Sequence, residues 1–313
     1  MKIVHVTVAY NSPQDLDKLF LNIGLQDEET HYIICADNSE IDFKKTNEAI
    51  CRKFSLNQNY IVDYYPLKQN YGSSKGFAIA MTLGFNTGAD FVWLHDQDGF
   101  PLPGCLSNIN KNLNAGLEIL GPKVLDENNN YLHVFTGNYN KYWNLMPVTF
   151  NKEVALAEVA GTAGLCISRN TYDKIGTFDY KHYFIGNEDF DYCLRAGNFG
   201  LKIGIVKDAL YFHPNKWGDI NLPMKRNLIR YFGNISSDNI PNRSFSNINY
   251  LIIHCGYNFL ISFFYSILRV FVHKICFKKI DLISTYKCYI SAVMNRFYNK
   301  NEKISIDPNQ FIA

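Results

Sequence analysis

Residues 90–98, Asp90-Phe91-Val92-Trp93-Leu94-His95-Asp96-Gln97-Asp98, bring an apolar run to a stop in two carboxylates two positions apart. A buried strand does not end in paired acids unless a cation waits there, because unpaired carboxylates are costly to desolvate. A divalent metal with oxygen ligands fits that role, and the cargo of such a metal is a phosphate. Asp96 and Asp98 therefore point to an enzyme that acts on a nucleotide or another diphosphate. A second acidic group lies in Gly186-Asn187-Glu188-Asp189-Phe190-Asp191-Tyr192-Cys193-Leu194-Arg195. Phe190, Cys193 and Leu194 are three and four apart, which starts an amphipathic helix with Asn187 as its cap. Glu188 and Asp189 fall in its first turn, where the helix dipole favours an ionised carboxylate able to serve as a general base. The plainer reading is ordinary helix-start chemistry, with Asp191 and Arg195 as an i,i+4 pair. His213, just before Pro214, is either structural or a third ligand beside Asp96 or Asp98, since imidazole with carboxylates suits Mn²⁺ as well as Mg²⁺.

These groups need elements to carry them. Residues 2–10 are β-branched and apolar, as in a strand covered on both faces. Ser12-Pro13 then supplies an N-cap and a proline at the first helical position, and a helix runs to about residue 26. Residues 31–37 read as a second strand, 43–54 as a helix, 60–65 as a third strand, 74–86 as a helix and 90–95 as a fourth strand. Such alternation predicts an α/β fold with a mostly parallel, doubly wound sheet flanked by helices. Further on, residues 117–125, 158–168 and 202–212 read as strands. The polar residues worth naming follow the strands: Tyr10 and Asn11, Asp37 and Asn38, Asn70 and Gly72, Asp96 and Asp98. Carboxyl ends of parallel strands share one edge of the sheet, where open α/β folds bind ligands. Tyr10 either packs on a base or fills the core, and Asp37 either accepts from a base imide N–H or forms a turn.

Several classes are excluded. No G-x-G-x-x-G follows the first strand and no phosphate-binding G-x-x-x-x-G-K-[ST] occurs, so side chains and a metal, not a glycine cradle, must hold the nucleotide. The eight cysteines have no metal-ligand spacing and read as buried thiols of a reducing compartment. No signal peptide precedes the first strand, which together with the thiols suggests a cytoplasmic protein.

Taken in order, the pieces resemble the family 2 glycosyltransferases, inverting enzymes of the GT-A, Rossmann-like fold that read nucleotide sugars. The matching segments are Val6-Thr7-Val8-Ala9-Tyr10-Asn11, Asp37-Asn38-Ser39, Asn70-Tyr71-Gly72 through Gly76, Asp96-Gln97-Asp98, and Ala160-Gly161-Thr162-Ala163-Gly164. Lys174-Ile175-Gly176-Thr177-Phe178-Asp179, the 187–195 stretch and His213 complete the series. The Asp-Gln-Asp form looks most like bacterial rhamnosyltransferases of polysaccharide assembly, with galactofuranosyltransferases similar downstream. The resemblance implies Asp98 as a metal ligand, Asp96 as a ligand of the metal or the ribose, and His213 as a further ligand of Mn²⁺ or Mg²⁺. It implies Asp189 as the base, Glu188 as orienting the acceptor, and Tyr10, Asn11 and Asp37 as holding the nucleoside. Asn70 and Gly72 would line the donor site. Trp217 either stacks on a sugar ring or packs. The donor implied is dTDP-rhamnose, with UDP-galactofuranose or another UDP-hexose as the alternative. Two departures stand out: Gln97 replaces an acid often found in this motif, and 214–218 does not follow the expected pattern. A reading from another class is a catalytically idle nucleotide- or glycan-binding subunit of an assembly complex.

The chain divides in expectation into a catalytic domain, 1–223, and a helical basic and aromatic region, 224–313. From 224 to 303 there are 12 Lys/Arg against 3 Asp/Glu, although the whole chain is only +2. Residues 251–272 are rich in Leu, Ile, Phe and Tyr but broken by His254, Asn258 and Arg269, which suits an interfacial amphipathic helix better than a span. The expected partners are an anionic membrane surface at the inner face of the plasma membrane and a glycan or lipid-linked oligosaccharide acceptor, or else a second copy in a homodimer. Its charges are interleaved with apolar residues, which argues against nucleic acid.

Overall fold

The computed structural model describes residues 1–113, 116–140, 145–214, 250, 254 and 302–313. In order the elements are β1 (Ile3–Ala9), α1 (Pro13–Ile23), β2 (His31–Asp37), α2 (Ile41–Ser55), β3 (Tyr60–Pro66), α3 (Gly72–Asn86), β4 (Phe91–His95) and β5 (Phe100–Pro101). Then come α4 (Cys105–Asn112), β6 (Ile119–Leu125), β7 (Thr136–Tyr139), β8 (Leu145–Met146), β9 (Val154–Ala157), β10 (Val159–Ala160), β11 (Cys166–Ser168), α5 (Arg169–Ile175), α6 (Glu188–Asn198) and β12 (Ile203–Phe212). The main sheet has the order β3-β2-β1-β4-β11-β6-β12-β5, with β9 also on β12, and β10-β7-β8 form a second sheet.

Strands β3, β2, β1 and β4 are parallel, as the alternation predicts. β11 runs antiparallel to both β4 and β6, and β12 is parallel to β6. Two reversals restore the original direction, so β12 ends at the same edge as β1, β2 and β4. That edge therefore gathers Tyr10, Asp37, Asp96 and His213 from strands far apart in sequence. Within β1, Val4, Val6 and Val8 pack toward α3, while Ile3 and Ala9 face the α4 and α1 side. Every residue of β1 is buried, and each large apolar side chain so removed from water contributes roughly 1.5–3 kcal/mol.

α3 lies close against β1 because Gly76 lets it. A Cβ there would meet Val8 Cγ1 at 2.7 Å and Asn38 Nδ2 at 2.8 Å. Gly72 opens the same helix at φ +79°, against the Phe184 carbonyl, a backbone shape and a space that a side chain does not fit.

The structure corrects several expectations. Ser12 does not cap α1; its hydroxyl donates to Asp15 Oδ2 at 2.6 Å instead. The strand expected over 158–168 is two short ones, β10 and β11, joined by a loop that crosses the ligand edge. α4, β5 and the β7–β8 pair were not anticipated. Residues 302–313, expected within a helical region, hold only the short 3₁₀ turn Pro308–Gln310 and lie along the edge of the sheet domain: Ile304 bridges Gly176, and Ile312 bridges Leu67 beyond β3. Cys35, Cys51, Cys105, Cys166 and Cys193 are free and buried, as core thiols. Among the described residues no helix is long and apolar enough to cross a membrane. Trp217 and, His254 apart, the 251–272 stretch lie outside the described residues.

Candidate active site

A cleft of about 640 Å³ opens at the shared edge, lined by Tyr10, Asn70, Gly72, Asp96, Asp98, Glu188, Asp189 and His213 among others. The two acidic groups thus face one space although 90 positions separate Asp98 from Glu188 in sequence. Asn11 and Asp37 do not line it. Asp37 is fully buried beneath, accepting from the Ser39 amide at 2.7 Å, Asn47 Nδ2 at 2.9 Å and the Tyr64 hydroxyl at 2.7 Å. Asn11, at φ 49°, donates its amide to Ser39 Oγ and accepts from the Glu40 amide, so it stitches the first two loops together. The structure gives both residues internal partners where the sequence suggested direct contact with a nucleoside.

Gln97 has a job that an acid could not do. Its Nε2 donates to the Tyr10 carbonyl at 2.9 Å while its Oε1 accepts from the Tyr10 amide. This pair of bonds fastens the tip of β1 to the tip of β4. Asn38 makes a similar clasp to the next loop, donating to the Gly72 carbonyl at 2.8 Å and accepting from the Tyr71 amide at 3.0 Å.

On the strand side, His213 Nε2 lies 3.3 Å from Asp98 Oδ1 and 3.7 Å from Asp96 Oδ2. Its Nδ1 is 2.9 Å from the Pro214 carbonyl, which can only accept, so Nδ1 carries a proton and Nε2 is turned to the acids. Burial opposes a charge on His213, but the bond to Asp98 and the charges of Asp98 and Asp96 outweigh it and raise its pKa above the usual imidazole value. Carboxylate oxygens and an imidazole nitrogen are donors that suit a divalent ion such as Mn²⁺ or Mg²⁺, but among the described residues these three do not converge closely enough to form a ligand cluster as they stand.

The helix side has the opposite character. Asp189 is half-buried in the cleft wall, and desolvation, then the charges of Glu188 and Asp96, push its carboxyl up to about 8 despite bonds from the Phe190 and Thr162 amides. The expectation of an ionised carboxylate at the helix start is therefore corrected for the free protein: burial and like charge defeat the dipole. Asn187 does not cap α6 through its side chain; it sits at φ 68°. Asp191 and Arg195 do pair, at 2.8 Å, but fully buried, and Asp191 also meets His254 at 2.7 Å and Tyr183 at 3.2 Å. Burial opposes charge on Asp191, and Arg195 and His254 overcome it, holding its carboxyl below the usual range.

Thr162 joins the two sides. Its hydroxyl donates to Asp96 Oδ1 at 2.6 Å and its amide donates to Asp189 Oδ2 at 3.2 Å. Ser73 likewise reaches across from α3 to Glu188. Neither was given a role from sequence, although Thr162 lies inside one of the quoted segments. Phe135 packs its ring tilted against His213, the ring centres 4.7 Å apart, and Gly161 beside it leaves room for Asp189.

An edge-opening cleft on a mostly parallel sheet, with acids at a strand end and at a helix start, defines the GT-A class of sugar-nucleotide enzymes, and comparison with solved structures agrees on the fold. GalNAc-T7, solved with UDP, GalNAc and Mn²⁺, superposes at TM-score 0.54 with 12% identity over 79% of this chain, which spans 51% of that one. The Pyrobaculum calidifontis mannosyltransferase PcManGT, solved with GDP-Man and Mn²⁺, superposes at 0.53 with 10% identity, covering 96% of this chain and 81% of that one. In sequence, the chain is 24% identical over 237 residues to the Shigella flexneri dTDP-rhamnosyl transferase RfbF, covering 74% of this chain and 76% of that protein. It is 25% identical over 218 residues to the Mycobacterium tuberculosis galactofuranosyltransferase GlfT1, covering 67% and 69%. A family model described as Glycosyltransferase like family 2 matches residues 20–225. The chain belongs to that family and is a nucleotide-sugar glycosyltransferase.

Proposed function

We propose that this protein is an inverting, metal-dependent transferase that moves a sugar, most simply rhamnose from its dTDP donor, to a hydroxyl of a growing surface polysaccharide. The observation that carries the reading is the meeting of Asp96, Asp98 and His213 with Glu188 and Asp189 across one cleft. Asp98, Asp96 and His213 would hold a divalent ion, which when bound neutralises charge on the leaving diphosphate. Tyr10, Asn70 and Gly72 offer the wall for the nucleotide, with Asn11 and Asp37 setting the loops behind it. Asp189 takes the proton of the acceptor hydroxyl, whose oxygen attacks the anomeric carbon opposite the diphosphate. Glu188, braced by Ser73, orients that hydroxyl. Asp96 is one of the charges that raise the Asp189 carboxyl, after burial and Glu188, so a cation held at Asp96 would favour the ionised base.

The donor is tested by incubating the chain with a panel of nucleotide sugars and Mn²⁺ or Mg²⁺ and reading thermal stabilisation, then transfer and the anomeric configuration of the product. Selective stabilisation and transfer with dTDP-rhamnose are expected; a retained configuration would sink the single-displacement mechanism. UDP-galactofuranose is the second reading, favoured by the comparable identity to GlfT1.

The basic 224–303 region supports a further part of the proposal: the enzyme works at an anionic membrane surface on a lipid-linked acceptor. Flotation with vesicles containing anionic lipid is expected to carry the full chain upward, and equal flotation with neutral vesicles would count against it.

A further inference from the structure

On the α1 and α4 side of the sheet, three side chains that the transfer reaction does not use point at one another. His5 Nε2 lies 2.8 Å from Glu28 Oε2, and His31 Nδ1 lies 3.1 Å from the same oxygen. The three prospective ligand atoms fall within 4.8 Å of each other. They come from separate segments: the middle of β1, the first residue of β2, and the loop between α1 and β2. Both imidazoles are buried, Glu28 is 17% exposed, and none of the three lines the cleft.

The donor set of this cluster suits a cation. One carboxylate oxygen of Glu28 faces a ring nitrogen of each histidine, and among the described residues no lysine or arginine pairs with Glu28. The outer partner of His5 is also suited to a metal. His5 Nδ1 lies 3.0 Å from Nε2 of His95, which is fully buried. When the shared proton sits on His5 Nδ1 and His95 Nε2 accepts the hydrogen bond, the lone pair of His5 Nε2 is aimed at Glu28 and at an ion beside it, the arrangement that orients metal-bound histidines. Tyr211 lies 3.4 Å beyond, at His95 Nδ1, and closes the chain.

We propose that His5, His31 and Glu28 form a structural zinc site, with water as the fourth ligand on the open side of Glu28. Two imidazoles and one carboxylate are a tetrahedral nitrogen and oxygen set that suits Zn²⁺, whereas Mg²⁺ demands oxygen and six-fold geometry. The ion pins the loop ahead of β2 to the centre of β1. This assignment is independent of the donor and of the transfer mechanism. The rival is an ion-free hydrogen-bonded triad, which requires the opposite tautomer, with the proton of His5 on Nε2 facing Glu28.

The test uses the full chain carrying Asp96→Asn and Asp98→Asn, so that the strand-end acids do not compete for the ion. After gel filtration in metal-free buffer, mass spectrometry is expected to find about one zinc per chain, and adding zinc to stripped protein to raise Tm by ~5 °C. Introducing Glu28→Gln or His31→Gln is expected to lower zinc content at least ~10-fold and to abolish the Tm rise. Should those variants not fold, cobalt loaded into the stripped parent gives visible ligand-field bands of a tetrahedral site, and ¹⁵N NMR places the His5 proton on Nδ1. No zinc with no Tm shift, zinc that survives Glu28→Gln and His31→Gln, or a His5 proton on Nε2 in the zinc-treated chain would each overturn the proposal.

Discussion

Two pairs of carboxylates face each other across the cleft, and the protein keeps them in different conditions. Asp96 and Asp98 are about a fifth exposed, close to an imidazole whose hold on its proton they strengthen. Asp189 is half-buried beside the buried Glu188, and its carboxyl is pushed up to about 8. In the proposed mechanism the same chemical group serves as a cation holder on one wall and as the base on the other, with environment making the difference. Thr162 touches both, so the two walls are not independent.

The contrast is broken hardest by removing one acid from each wall. Asp98→Ala should abolish metal-dependent donor binding and lower transfer by roughly a thousandfold or more, measured by calorimetry and by product formation; unchanged binding would remove Asp98 from the metal site. Asp189→Asn should lower transfer by roughly a thousandfold while donor binding survives. The same change should stabilise the free protein at pH 7, by about 1–2 kcal/mol, because it removes a half-buried carboxyl that prefers to be neutral. The sign follows from linkage: the folded value of Asp189 lies above its unfolded value near 3.8. Its contribution is fully present below that value and is lost as pH rises through about 8, and in Asp189→Asn this downward slope in stability disappears.

The link between the walls is probed by Thr162→Val, which deletes the bond to Asp96 but keeps the amide that reaches Asp189. We expect a loss of about 10-fold in kcat/KM, with the pH at which the rate climbs displaced from that of the parent; an unmoved profile would show the walls to be uncoupled. In the parent, kcat/KM should rise with pH toward about 8, since it reports the free enzyme in which Asp189 must lose its proton. Gln97→Ala is the mildest change, expected to cost a few-fold in KM by loosening the tips of β1 and β4.

The wall built on strand ends was open to a reader of the sequence, and the other wall only in part. β1 to β4 announce themselves through local alternation, and a chemically active residue that directly follows a strand inherits its place from it. Asp96, Asp98, Tyr10 and His213 were found in that way. Thr162 could not be, because its meeting with Asp96 and Asp189 depends on a loop that crosses the sheet edge between two short strands. The upward shift of Asp189 was likewise hidden: the dipole of α6 is written in local sequence, but desolvation within the cleft wall and the approach of Asp96 are properties of the folded chain. Asp37 shows the reverse. Its position after a strand was read correctly, but its oxygens are already engaged by Ser39, Asn47 and Tyr64, partners that only the fold reveals.

The amide at position 97 carries a consequence of its own. A carboxylate there could receive from the backbone nitrogen of Tyr10 but has nothing to give its oxygen, so the two strand tips would hang by a single thread and repel a third neighbouring anion. By placing glutamine there, the chain forgoes Coulomb attraction and gains stiffness. In the proposed metal site, preference among divalent ions should accordingly follow how well each one's radius suits a rigid seat, more than how strongly negative that seat is.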